Sequence, residues 1–172
     1  PLITAISPVN GPTSGAFTMT IRGSNFGTAS ADAQVSFVPA SRRSSGNSGL
    51  SVVQITDASV SFIVPANVGS DVEISVTVKS QIGLLQAGAF TYDIPHATAV
   101  SPTAGSRPTS GGFVITLTGT NFGTGATAGS GGLVSVYIGG KSCAPVSVVV
   151  DHTSLTCVAP SGTGSASVVV NV

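Results

Sequence analysis

The chain has 172 residues with six basic and six acidic side chains, and only 7% of its residues are charged, against about 25% in an ordinary soluble domain. Nucleic-acid binding takes several phosphate contacts from Lys or Arg, and the one basic cluster, Arg42-Arg43, cannot supply them. No run approaches the roughly 18 apolar residues of a membrane span, and no basic start leads into an apolar stretch, so no signal peptide is visible and a processed or excised form is expected.

Apolar and polar residues alternate with period two, the pattern of half-buried strands, and no stretch has a helical period. In chain order, strands are expected at 2–7, 17–23, 34–38, 50–55, 59–64, 72–79 and 88–92. At 17–23, Phe17, Met19 and Ile21 alternate with Thr18, Thr20 and Arg22. The clearest strand is 72–79, where Val72, Ile74, Val76 and Val78 alternate with Glu73, Ser75, Thr77 and Lys79. Gly11-Pro12, Gly27-Thr28, Pro65-Ala66-Asn67 and Gly69 mark turns, and Ser41–Gly49 reads as a solvated loop. Further strands are expected at 97–101, 113–119, 133–138, 145–150, 154–158 and 166–172, with Gly123–Gly132 as a flexible counterpart of Gly27–Ala33. Short strands at this spacing imply an antiparallel sandwich or barrel.

The chain also repeats itself. Ser14-Gly15-Ala16-Phe17-Thr18-Met19-Thr20-Ile21-Arg22-Gly23-Ser24-Asn25-Phe26-Gly27 returns as Ser110-Gly111-Gly112-Phe113-Val114-Ile115-Thr116-Leu117-Thr118-Gly119-Thr120-Asn121-Phe122-Gly123. The lead-ins Ile6-Ser7-Pro8 and Val100-Ser101-Pro102 match as well, each followed by Pro-Thr-Ser-Gly. Two domains follow, 1–93 and 94–172, joined by the short, proline-stiffened Asp93-Ile94-Pro95-His96.

With Tyr137-Ile138-Gly139-Gly140-Lys141-Ser142-Cys143 and Ser154-Leu155-Thr156-Cys157-Val158-Ala159-Pro160, these motifs resemble the IPT/TIG family of immunoglobulin-like domains over essentially the whole chain. The resemblance implies an all-β protein of two tandem early-set immunoglobulin-like sandwiches. It also implies an intradomain disulfide between Cys143 and Cys157, a pair of buried free thiols being the alternative. Phe62 stands in the first copy where Cys157 stands in the second. Gly23, Asn25, Gly27, Gly119, Asn121 and Gly123 are expected to form sharp turns, glycine by its freedom at positive φ and asparagine by bonding the backbone of its own turn. Phe26 and Phe122 are expected to plug the sandwich ends.

Catalytic, cofactor and metal sites are not expected. No helix follows the glycine motif and no Lys-Ser/Thr pair ends it, so it is no phosphate cradle. His96 and His152 are isolated; Asp151 and His152 are sequence neighbours that a strand would point to opposite faces. Asp57, Asp71 and Glu73 make no hydrolase-like carboxylate pair. Asn25, Asn47, Asn67 and Asn121 lack a following Ser/Thr at the sequon position, while Ser41–Ser48 and Thr124–Ser130 are either O-glycan acceptors or plain loops.

The second copy ends without a counterpart of Gly88-Ala89-Phe90-Thr91-Tyr92. Aligned on Val78 and Val172, Val168 and Val170 match Ile74 and Val76, and Val169 replaces Ser75. In the first copy the chain is expected to turn at Gln81-Ile82-Gly83 and return through 89–92. The second sandwich therefore lacks its last strand, leaving Val168, Val169, Val170 and Val172 as an assembly edge, and Val148-Val149-Val150 is apolar on both faces. A fragment of a longer ectodomain accounts for this, as does a strand supplied by a neighbouring protomer in a head-to-tail filament; Leu2–Ile6 is a donor only if freed from the first domain. The expected function is a non-catalytic extracellular or cell-surface structural or adhesive module. The alternatives are a glycan- or receptor-binding module acting through Ser41–Gly49 and Gly123–Gly132, disfavoured by the absence of Trp, and an accessory domain of a polysaccharide-active enzyme.

Overall fold

A computed structural model describes residues 1–39, 47–103, 107–125 and 134–172. Most of the expected loop at 41–49, with Arg42 and Arg43, and most of the glycine-rich stretch at 123–132 lie outside the described residues, together with most of their hydroxyl glycan acceptors. The chain divides into two compact units, Pro1–Tyr92 and Asp93–Val172.

In the first unit the strands are β1 (Leu2–Ser7), β2 (Asn10–Gly11), β3 (Thr18–Ser24), β4 (Ala33–Pro39), β5 (Asn47–Leu50), β6 (Val52–Thr56), β7 (Ser59–Ile63), β8 (Val72–Val78) and β9 (Gln81–Tyr92). They form two sheets, β1-β3-β7-β6 and β2-β9-β8-β4-β5, antiparallel throughout except for the β2–β9 pair. Period-two alternation turns Met19 and Ile21 on β3, and Val60 and Phe62 on β7, towards Val35, Phe37, Ile74 and Val76 of the facing sheet, all fully buried. Each such side chain contributes about 1.5–3 kcal/mol relative to exposure. Aromatic rings fill the space under β9. Phe37 lies 5.2 Å from Phe90 and 6.1 Å from Tyr92, edge to face, and Phe17 stacks on Phe90 at 6.2 Å.

Two expectations are corrected here. The β8–β9 hairpin turns at Lys79-Ser80, with φ of 45° and 70°, and Gln81-Ile82-Gly83 is already strand opposite Val78, Thr77 and Val76. A two-residue hairpin loop takes positive φ at both positions because that twist matches the strands, and here it does so without the usual Asn-Gly signal. The expected strand 50–55 is two strands: β5 pairs with β4 in one sheet and β6 with β7 in the other, so the chain crosses between sheets at Ser51. Leu50 enters the core from one side and Val52 from the other, which gives a single apolar run in the sequence.

The second unit has β10 (His96–Ser101), β11 (Val114–Thr120), β12 (Ser135–Ile138), β13 (Lys141–Cys143), β14 (Val146–Val150), β15 (Ser154–Val158) and β16 (Val168–Asn171). Its sheets are β10-β11-β15-β14 and β13-β12-β16. Ile115, Leu117, Val136, Leu155 and Cys157 form its core with Phe122 at one end. The crossing between sheets recurs, from β13 to β14 through Ala144-Pro145. β13 escaped the sequence reading because only Cys143 of its three residues faces the core.

Candidate interaction edge and the asparagine turns

Each unit carries one asparagine turn clasped by a hairpin. Gly27 and Gly123 have φ of 74° and 77°, and Asn25 and Asn121 both have φ of 61°. Gly23 and Gly119 serve differently from the expectation: they lie inside β3 and β11, and what they supply is space. A Cβ at Gly23 would overlap the Leu2 carbonyl oxygen and stand 2.7 Å from the Phe26 ring; at Gly119 it would overlap the His96 carbonyl and stand 2.6 Å from the Phe122 ring. Phe26 and Phe122 are completely buried. Asn121 Nδ2 donates to the Ile94 carbonyl, just before β10, at 3.2 Å.

The sequence reading missed the clasp. The backbone N–H of Gly23 donates to the Ala58 carbonyl at 3.0 Å, that of Phe26 to the Asp57 carbonyl at 3.2 Å, and that of Gly27 to Asp57 Oδ1 at 3.1 Å. In the second unit Gly119 donates to Thr153 at 2.9 Å, Phe122 to His152 at 3.0 Å, and Gly125 to Asp151 Oδ1 at 3.0 Å. Asp57 and Asp151 therefore brace turns, and His152, at φ 65°, is a turn residue whose backbone serves the clasp. The signal was available, because both aspartates precede the second strand of matching hairpins. An open hollow of about 490 Å³ beside the first turn is lined by Asn25, Gly27, Asp57, Asp32 and Lys79, and the Lys79–Asp32 ion pair spans it at 3.3 Å. Among the described residues no three His, Cys, Asp or Glu side chains come together. His96 is exposed at the start of β10, opposite Thr120.

Cys143 and Cys157 are joined, with S–S 2.09 Å and Cα–Cα 5.5 Å. Strand registers set Cys143 where Leu50 sits in the first unit, opposite Val136 and Val35 respectively, and Cys157 where Phe62 sits, opposite Ile115 and Met19. One bond across the two sheets of the second unit thus replaces an apolar pair of the first.

The edge strand has the same internal reference. β4 pairs with β8 as Val35↔Val76, Ser36↔Ser75 and Phe37↔Ile74; β12 pairs with β16 as Val136↔Val170, Tyr137↔Val169 and Ile138↔Val168. β8 is hydrogen-bonded on both sides, to β4 and β9, whereas among the described residues β16 is bonded to β12 alone. Burial follows: Ile74 and Val76 are fully buried, while Val168, Val170 and Val172 are only partly covered. On the outer face the Ser36–Ser75 pair becomes Tyr137–Val169, with Val169 48% exposed. Val149 and Val150 are exposed on β14, at the edge of the other sheet.

The sequence profile of the IPT/TIG domain matches residues 1–92 and again 95–172. The chain belongs to the IPT/TIG family. Human plexin-B3 is 33% identical over 157 residues, which is 91% of this chain and 8% of plexin-B3, so the chain spans a small part of such relatives. Among solved structures, the full extracellular region of plexin A4 is 25% identical, with a TM-score of 0.40 over 99% of this chain and 16% of that one. A surface glycan-binding protein from Prevotella bryantii shares the fold at 15% identity, with a TM-score of 0.50 over 98% of this chain and 39% of that one. In both IPT/TIG units the asparagine turn and its clasp brace the backbone. No helix among the described residues is long and apolar enough to cross a membrane.

Proposed function

We propose that this tandem of IPT/TIG domains is a non-catalytic, extracellular structural or adhesive module that self-associates through exposed apolar strand faces in a surface filament. The observation that carries this reading is the apolar Tyr137–Val169 pair exposed on the outer face of the second unit, where the first unit has Ser36–Ser75. Association through that pair removes its apolar area from water. The buried disulfide fits an oxidising, extracellular compartment. A low charge density suits a surface largely covered in an assembly or by O-glycans. A glycan platform has less support, because Tyr92 is buried and points its hydroxyl at a backbone carbonyl.

Electron microscopy of the chain over rising concentration tests the proposal. Rods or filaments that lengthen with concentration are expected; isolated particles throughout, with a single scattering species, contradict it.

A further inference from the structure

Four strands stand at the margins of the two four-stranded sheets: β1 and β6 in the first unit, β10 and β14 in the second. Among the described residues each pairs with one strand only, and each breaks its register with that strand by one extra residue. The extra residues are Thr4 on β1, Val53 on β6, Thr98 on β10 and Val149 on β14. The inner pairs, β3–β7 and β11–β15, keep an unbroken register. The irregularity is confined to the margins and repeats in both units.

A bulge leaves its extra residue outside the ladder, bends the strand and tightens its twist, so a straight incoming strand cannot follow it. The bulges also disturb the alternation of burial. Two exposed residues separate two core-facing ones at Ile3–Ile6, Val52–Ile55 and Ala97–Val100. On β1 and β10 the bulge is pinned as well: Thr4 Oγ1 donates to the Arg22 carbonyl at 3.2 Å, and Thr98 Oγ1 to the Thr118 carbonyl at 3.1 Å. Each hydroxyl bonds the residue that faces its bulge.

The composition of these strands gives the bulges their purpose. An open edge is ordinarily protected by charged side chains, lysine above all, or by proline. β1, β6, β10 and β14 contain no Lys, Arg, Asp, Glu or Pro. β14, with Val146, Val148, Val149 and Val150, has the strand-forming, uncharged composition that otherwise takes up a further strand. We propose that the four bulges guard these margins against edge-to-edge pairing with a second copy of this chain. Where only 7% of residues are charged, backbone geometry replaces charge as the barrier. The barrier holds for a chain that associates through its outer faces and for one that does not.

The probe is a peptide of residues 146–150 with a solubilising lysine tail, added to the whole chain, with hydrogen exchange read residue by residue along β14. In the wild-type chain, exchange at Val146–Val150 is expected to be unchanged by the peptide. Deletion of Val149 restores a regular ladder against β15, and there the peptide is expected to slow exchange severalfold. Val149→Thr keeps the extra residue and is expected to behave as the wild type, which separates the bulge from the loss of a valine. Protection of β14 by the peptide in the wild-type chain overturns the proposal, and so does a folded deletion variant that gains none. If the deletion unfolds the second unit, deletion of Val53 with a peptide of residues 52–56 repeats the test on the first unit, with the same outcomes deciding it.

Discussion

At the scale of single residues, the glycines of the asparagine turns separate two physical roles that look alike in sequence. Gly27 needs its left-handed φ of 74° and has open space where a Cβ would go, so Gly27→Ala costs about 1–2 kcal/mol of backbone strain. Gly23→Ala drives a methyl into the Leu2 carbonyl and the Phe26 ring, so it costs about 2–3 kcal/mol and is the more damaging of the two. Urea unfolding of the two variants measures the order. Tyr92 gives a pH signature. Burial pushes its hydroxyl well above the ordinary phenol value of 10.0. A group whose pKa is raised by folding contributes stability that is complete below its unfolded value and declines as pH rises beyond it. Between pH 9 and 11 (about the range around a free phenol) the first unit therefore loses stability faster in the wild-type chain than in Tyr92→Phe. Parallel slopes in the two proteins contradict the assignment.

At the scale of elements, the disulfide and its apolar counterpart make a direct exchange experiment. Closing a loop over 14 residues contributes about 3 kcal/mol, so Cys143→Ser with Cys157→Ser lowers the unfolding midpoint of the second unit and leaves the first unchanged. Cys143→Leu with Cys157→Phe imports the pair that the first unit uses and recovers part of that loss; calorimetry resolves the two transitions. This pair also marks how far the sequence can be read. Repeat alignment sets Phe62 against Cys157 because both lie in unbroken alternating strands, β7 and β15. The match of Leu50 to Cys143 was not legible, because β5 and β13 are short, carry one core residue each, and precede a crossing between sheets. The turn at Lys79-Ser80 was missed for a related reason: positive φ there is imposed by the pairing of β8 with β9, with no glycine or asparagine to announce it. The exposed apolar pair was legible as far as Val169, which replaces Ser75 in the repeat. Its partner Tyr137 was not, because the register of β12 against β16 is set only in the folded unit.

At the scale of the whole molecule, the central claim is that the exposed apolar Tyr137–Val169 pair of the second unit drives self-association. A charge there opposes association, because taking an unpaired charge out of water is costly. Val169→Lys therefore abolishes self-association while Ile82→Lys, an exposed position in the first unit, leaves it intact. The most direct measurement is sedimentation velocity of the chain and of Val169→Lys over rising concentration. The account predicts assemblies that grow with concentration in the wild-type chain and a single small species in the variant. A wild-type chain that stays monomeric, or a variant that associates as well as the wild type, contradicts it.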